Sequence, residues 1–103
     1  MPWTYLTNHG LVLLAIAQNH QVRLRDIAEQ VGITERAVQR IVADLAEAGY
    51  VTRTRAGRRN VYVLHGEIHM PHPTTQHQEV GALMAVLVGA SARRPHRRSV
   101  ASG

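Results

Sequence analysis

The side chains best suited to chemical recognition lie on one predicted helix in the middle of the chain. Arg36 and Arg40 are four residues apart, so a helix places them on one face, with Gln39 beside them. Arginine can donate two hydrogen bonds to guanine O6 and N7, and glutamine can pair with adenine in the same groove. We expect this face to enter a major groove from the helix N-terminus; a solvated polar face is the alternative. The residues of this helix predicted to bind DNA are Thr34, Glu35, Arg36, Gln39 and Arg40.

A second group of basic side chains lies in a predicted β-hairpin. Strands are expected over residues 50–55 and 60–65, separated by a turn around Gly57. A hairpin with a cationic tip suits contacts to phosphates or insertion of arginine into a narrow minor groove. An ordinary soluble hairpin is the alternative. The residues of this hairpin, called the wing below, that are predicted to contact DNA are Arg53, Arg55, Arg58, Arg59 and Asn60.

Three predicted helices must position these two groups. The first begins at a cap on Thr7 or Asn8 and ends near residue 19, and the second covers residues 25–31. The third runs from residue 35 to about residue 48, with Thr34 as its cap. The connector over residues 21–24 is short and can form an edge strand.

The segment from Leu24 to Ala43 has the pattern of two helices that meet at a steep angle across a short turn. Ala28 is small enough for close helix packing, and Gly32 can adopt the positive φ that a tight turn needs. Apolar residues occur where both helices must contact a core: Ile27, Val31, Ile33, Val38 and Ile41. The pattern predicts a helix-turn-helix followed directly by a basic hairpin.

Four segments make the chain resemble the small winged-helix regulators of the MarR/ArsR-like group. They are Trp3–Gly10, Thr34–Arg40, Asp44–Val51 and Gly57–Tyr62, and the resemblance extends from about Trp3 to Val88. It implies a DNA-binding repressor or activator that is usually a homodimer. The predicted fold class is α+β and mainly helical: a winged helix-turn-helix with a two- or three-stranded wing sheet and a C-terminal dimerisation helix.

The last predicted helix runs from about residue 74 to residue 90, and its stretch Val80–Ala90 is apolar on all sides. A surface helix of a small monomer has a polar face, so a second chain is expected to cover it. The alternative is a monomer whose glycines and alanines form a tolerable outer face. A two-fold dimer would place two recognition helices about 34 Å apart on a near-palindromic site. The predicted interface residues are Leu11, Leu14, Val80, Leu83, Met84, Val86 and Leu87.

Four histidines lie close together in the sequence after the hairpin: His65, His69, His72 and His77. Neutral imidazoles can bind zinc, nickel or copper, and histidines can also make a loop sensitive to pH. Their spacing matches no metal motif, so ordinary loop histidines are expected and no metal or other cofactor is predicted. A metal- or pH-responsive repressor is kept as an alternative, as is a winged helix that contacts another protein.

Composition restricts the remaining possibilities. The 103 residues contain 45% apolar residues, 12 basic residues that are all arginine, 7 acidic residues and no cysteine. We expect a cytoplasmic protein without disulfides, signal peptide, membrane span or identifiable small-molecule ligand. No arrangement typical of catalysis is found, so an enzyme is not expected. The predicted divisions are residues 1–73 for the DNA-binding domain, 74–91 for the last helix and 92–103 for a disordered basic tail.

Overall fold

Three helices and a β-hairpin form the first of two compact units, which are divided between His65 and Gly66. The structure is a computed structural model that describes residues 5–89. The second unit contains a folded loop and a helix, α4, over residues 80–89. The elements of the first unit are α1 (Asn8–Gln18), α2 (Leu24–Val31), α3 (Glu35–Glu47), β1 (Val51–Ala56) and β2 (Arg59–Leu64).

Local hydrogen bonds begin and end the helices at the predicted places. The Thr7 and Thr34 hydroxyl oxygens each accept a bond of 3.1 Å from the backbone N–H three residues on, which caps α1 and α3. Gly32 follows α2 with φ 87°, in the left-handed region that a side chain disfavours. The predicted caps and the glycine turn of the helix-turn-helix are therefore confirmed.

The core of the first unit is aliphatic apart from one tyrosine. Helix α1 packs on α2 and α3, α2 packs on α3, and the hairpin contacts α1 and α3. On α3, the apolar period predicts Ala37, Val38, Ile41, Val42 and Leu45 on the inward face; the last four are buried and Ala37 is half-buried. The amphipathic pattern of α3 therefore predicted which face it buries. The buried residues of this core are Val12, Leu13, Ala15, Ile16, Val22, Ile27, Ala28, Val38, Ile41, Val42, Leu45, Val51 and Tyr62.

The wing is an antiparallel hairpin with a two-residue turn. Val51 pairs with Leu64 at its base, and Ala56 pairs with Arg59 next to the turn. Gly57 has φ 66°, as expected for the first central residue of a type II′ turn, which matches the twist of the strands. The sheet has two strands within residues 5–89.

The possible edge strand at residues 21–24 does not form. Two hydrogen bonds hold the connector between α1 and α2, residues 19–23, against β2 instead. The Tyr62 N–H donates to the His20 carbonyl and the His20 Nδ1–H donates to the Tyr62 carbonyl, both at 2.9 Å. The connector therefore pairs with β2 at a single residue, since the chain enters α2 at Leu24 before more pairs can form.

In the second unit, α4 begins at residue 80, later than the prediction near Thr74. Residues 68–70 and 78–80 pair in antiparallel fashion, with Met70 N–H to Gln78 O at 3.0 Å and Val80 N–H to Ile68 O at 2.8 Å. The segment between them forms turns, held by a 2.9 Å bond from the Thr75 N–H to the His72 carbonyl. Residues 66–73 thus belong with this second unit.

Some sequence predictions concern residues beyond the described range. The expected basic tail at residues 92–103 lies outside the described residues, as do residues 1–4. Among residues 5–89, no helix is both long enough and apolar enough to cross a lipid bilayer.

Candidate nucleic-acid interface

Helix α3 presents a polar face to solvent opposite its buried face. Arg36, Gln39 and Arg40 are all exposed, as the spacing predicted for one stripe of the helix. Thr34 caps the helix, and Glu35 occupies its first turn. Because the first backbone N–H groups of a helix point along its axis, this end of α3 favours anions. The stripe therefore places exposed arginine and glutamine side chains next to a helix end that favours anions.

Two arginines of the wing lie on the same face of the hairpin as the residues that are buried at its base. The register pairs Arg53 with Tyr62 and Arg55 with Asn60, so these side chains share the face of the buried Val51 and Tyr62. Arg53 and Arg55 are exposed because the hairpin extends past the core. Arg53 and Thr52 line a groove together with Gln39 and Ala43 of α3. The structure therefore brings α3 and the inner face of the wing to one continuous surface.

The tip of the wing lines a second cleft, of about 300 Å³. Arg58, Arg59 and Asn60 line it from the wing, and Glu35 lines it from α3. Arg23 and Arg25, at the start of α2, line the same cleft. The interface predicted from the sequence omits these two arginines.

One sequence signal pointed to the missed arginines. In Gln21–Arg25, polar and apolar residues alternate, so Arg23 and Arg25 both flank the apolar Leu24 immediately before the helix-turn-helix. The alternation shows that both arginines face away from the core, but not that the wing lies across from them.

Within the described part of the chain, the basic side chains have no acidic partners. Residues 5–89 contain eight arginines, and the ion pair found there joins His9 Nε2 to the Asp44 carboxylate at 2.8 Å. No carboxylate of these residues lies within 4.0 Å of an arginine nitrogen. The surface formed by α3, the wing and the start of α2 is therefore strongly positive, and its charges are available to an anionic partner.

The four histidines do not converge into a metal site. Among residues 5–89, no three histidine, aspartate or glutamate side chains come close enough to hold an ion. The Nε2 atom of His65 lies 2.6 Å from the Thr52 hydroxyl, and the Nδ1–H of His69 donates to the Gln76 carbonyl at 2.6 Å. The Nδ1 atom of His72 accepts from the Thr74 N–H at 3.1 Å. His77 is exposed.

The residues predicted for a dimer interface differ in exposure. Val80 and Met84 are 5% and 3% exposed within the single chain, so they have almost no surface left for a partner. Val86 is 68% exposed. The other four are half-buried: Leu11, Leu14, Leu83 and Leu87.

A family model identifies the first unit. The model of the MarR family matches residues 5–59, which include all three helices of this unit and β1. No curated protein sequence matches the chain significantly.

Solved structures with a similar fold include two transcription regulators. MepR, a regulator of the Staphylococcus aureus multidrug efflux pump MepA, has a TM-score of 0.52 and 15% identity over 94% of this chain and 64% of its own. The PcaV transcriptional regulator from Streptomyces coelicolor, solved with its natural ligand, has a TM-score of 0.51 and 21% identity over 95% of this chain and 75% of its own. At these identities the similarity concerns the fold.

A third similar structure, T. potens IscR, is 30% identical over 62% of this chain and 50% of its own, with a TM-score of 0.48. The chain thus spans half the length of IscR and less than two thirds of the length of MepR.

Proposed function

Because the chain belongs to the MarR family of DNA-binding transcription regulators, we propose that it binds a specific double-stranded DNA site through α3 and the wing. The observation that carries this proposal is the continuous surface of exposed arginines on α3, β1 and β2, none of which has a carboxylate partner among residues 5–89. Such a surface attracts the phosphate backbone before any base is read.

The two elements have different roles in this proposal. Helix α3 enters the major groove, where Arg36, Gln39 and Arg40 contact base edges and the first turn, with Thr34 and Glu35, approaches the backbone. The wing lies along the neighbouring groove, where its arginines contact phosphates. Its contact residues are Arg53, Arg55, Arg58, Arg59 and Asn60.

The protein acts as a homodimer on a near-palindromic operator in this proposal. Between residues 80 and 89, α4 has no polar side chain, yet Ala82, Ala85 and Val86 are exposed. A helix face of this kind is normally covered, and a second copy of α4 is apolar enough to cover it. On α4 the interface is assigned to the accessible members of the predicted set, Leu83, Val86 and Leu87. Leu11 and Leu14 of α1 are also partly accessible and remain predicted members.

The test begins with selection of a binding site from random duplexes by the full chain. The double variant R36A/R40A is then compared with wild type on the selected duplex and on an unrelated duplex. Each lost bidentate contact is expected to weaken specific binding by about 1–3 kcal/mol, whereas unrelated DNA is bound mainly through phosphates and changes less.

The matched control is R36K/R40K, which keeps both positive charges but removes the planar guanidinium groups. We expect it to bind unrelated DNA as wild type does and to lose preference for the selected site. If wild type shows no salt-dependent binding to any duplex, the proposal is wrong and a protein-contact role replaces it.

A further inference from the structure

Four arginines line the cleft between the start of α2 and the wing tip, and base recognition by α3 does not require them. They are Arg23 and Arg25 from the start of α2 and Arg58 and Arg59 from the wing tip. All four side chains are exposed, and none has a carboxylate of residues 5–89 within ion-pair distance. Glu35 is the single acidic residue among those that line the cleft. The cleft is therefore strongly electropositive.

A hydrogen bond fixes one of these arginines across the cleft. The Arg59 Nη1–H donates to the Gln21 side-chain oxygen at 3.1 Å, and the Gln21 backbone N–H donates to the Asn19 side-chain oxygen at 3.0 Å. The adjacent His20 is joined to Tyr62 by two further bonds. The connector between α1 and α2 thus holds the wing at a defined distance from Arg23 and Arg25.

We propose that this cleft is a phosphate-binding site in which Arg23 and Arg25 act together with Arg58 and Arg59, and that Gln21 is a positioning residue for Arg59. The proposal rests on the proposed function in one respect: the phosphate it receives is a DNA backbone phosphate next to the groove that α3 enters. The guanidinium groups would bind the phosphate of a small free anion in the same way. The experiments below distinguish a DNA phosphate from a free one.

Phosphate is the chemistry that this set of side chains fits. Guanidinium groups donate paired hydrogen bonds in a plane, which match the oxygens of a phosphate. A cleft of about 300 Å³ has room for one phosphate and its sugar neighbours but not for a folded acidic peptide. Glu35 repels any anion that enters, so it lowers the affinity of the site for phosphate. The four arginines outnumber it, so the cleft still prefers anions to cations.

The first experiment measures DNA affinity against salt concentration for wild type and for R23Q/R25Q. We expect the variant to bind the selected duplex and an unrelated duplex more weakly by the same factor, roughly three- to tenfold at low salt. The slope of log K against log salt should fall by about 1 for each phosphate contact that is lost. The control Q76E/Q78E lowers the net charge by the same amount at exposed positions of the other unit.

Two single variants test the parts of the cleft separately. E35Q should raise affinity for both duplexes, and because this is a gain of function, misfolding cannot imitate it. Q21A should weaken binding less than R59Q does, and the double variant Q21A/R59Q should be no weaker than R59Q alone, because Gln21 acts through Arg59. If the effects of Q21A and R59Q add, the positioning role is wrong.

Titration of the full chain with pyrophosphate, followed by arginine side-chain NMR signals, identifies the source of the phosphate. If wild type binds DNA but R23Q/R25Q behaves like Q76E/Q78E, the cleft proposal is overturned while the proposed function stands. If wild type binds no DNA, the proposed function fails by itself. Saturable shifts that are lost in R23Q/R25Q would then assign the cleft to a free phosphate-bearing anion, and their absence would overturn it.

Discussion

Tyr62 shows how one side chain can serve the fold and leave a polar group unpaired. It is 1% exposed and lies on β2, the strand that contacts α1. Its hydroxyl is buried without a hydrogen-bond partner among residues 5–89. A buried hydroxyl without a partner costs about 1–3 kcal/mol relative to one in water. The ring therefore stabilises the fold while the hydroxyl opposes it.

Replacement of Tyr62 by phenylalanine should therefore not destabilise the protein. We expect Y62F to raise the free energy of unfolding by up to about 1 kcal/mol, because the unpaired hydroxyl is removed and the ring is kept. Urea unfolding followed by circular dichroism measures this. Y62A is the companion variant and should lose about 3–5 kcal/mol through the cavity it leaves. A Y62F protein less stable than wild type by 1 kcal/mol or more would show that the hydroxyl is paired.

At the residue level, the sequence predicted which side chains of α3 are exposed and which are buried, and the reason is local. Arg36, Gln39 and Arg40 follow from helical spacing, because the same period that places Val38 and Ile41 inside places these three outside. The sequence did not associate Arg23 and Arg25 with the wing, because their proximity depends on bonds such as the one from Arg59 to Gln21 across 38 residues. No local pattern encodes such a bond.

At the level of elements, a contact between two glycines sets how the loop of the second unit meets α4. The Gly81 N–H donates to the Gly66 carbonyl at 2.9 Å. A Cβ added to Gly81 would lie 2.8 Å from the Gly66 Cα, closer than real contacts allow. The obstacle is backbone, so it cannot be relieved by a rotamer change. Only a residue without a side chain fits the start of this helix.

Gly81→Ala should therefore loosen the second unit even though alanine favours helices. We expect faster hydrogen exchange at the Met70 and Val80 amides, whose bonds pair the two arms of the loop. Gly89→Ala is the matched control, since a Cβ there meets nothing within 4 Å. It should leave exchange unchanged or slow it slightly. Equal exchange rates in both variants would show that the glycine contact does not hold the loop.

The elements that the sequence predicted well are those whose ends are determined locally. Thr7, Thr34 and Gly32 each mark a helix end through a bond or dihedral within a few residues, so α1–α3 match the prediction within about one residue. The start of α4 was predicted too early, because pairing between residues 68–70 and 78–80 competes with helix over residues 74–79. The spacing of apolar residues, which predicts helices, does not predict this pairing.

At the scale of the whole molecule, the exposed face of α4 carries the dimer proposal. We expect wild type to have twice the mass of the chain in sedimentation equilibrium and V86R to have the mass of one chain, because a charge cannot be buried in an apolar interface without a partner. Q76R adds the same charge at an exposed loop position and should remain dimeric. A wild-type mass equal to that of one chain would exclude the dimer.

The two bonds between His20 and Tyr62 have a consequence for solubility. Strand β2 pairs with β1 along one side, so its other side is a free sheet edge bordered by the run Val61-Tyr62-Val63-Leu64, a composition prone to intermolecular strand pairing. The connector occupies the middle of that edge, and Arg58 and Arg59 lie at its tip with like charge. An incoming strand would have to displace His20 and approach two cations. The same short connector that holds β2 therefore also hinders edge-to-edge pairing at the outer edge of this strand.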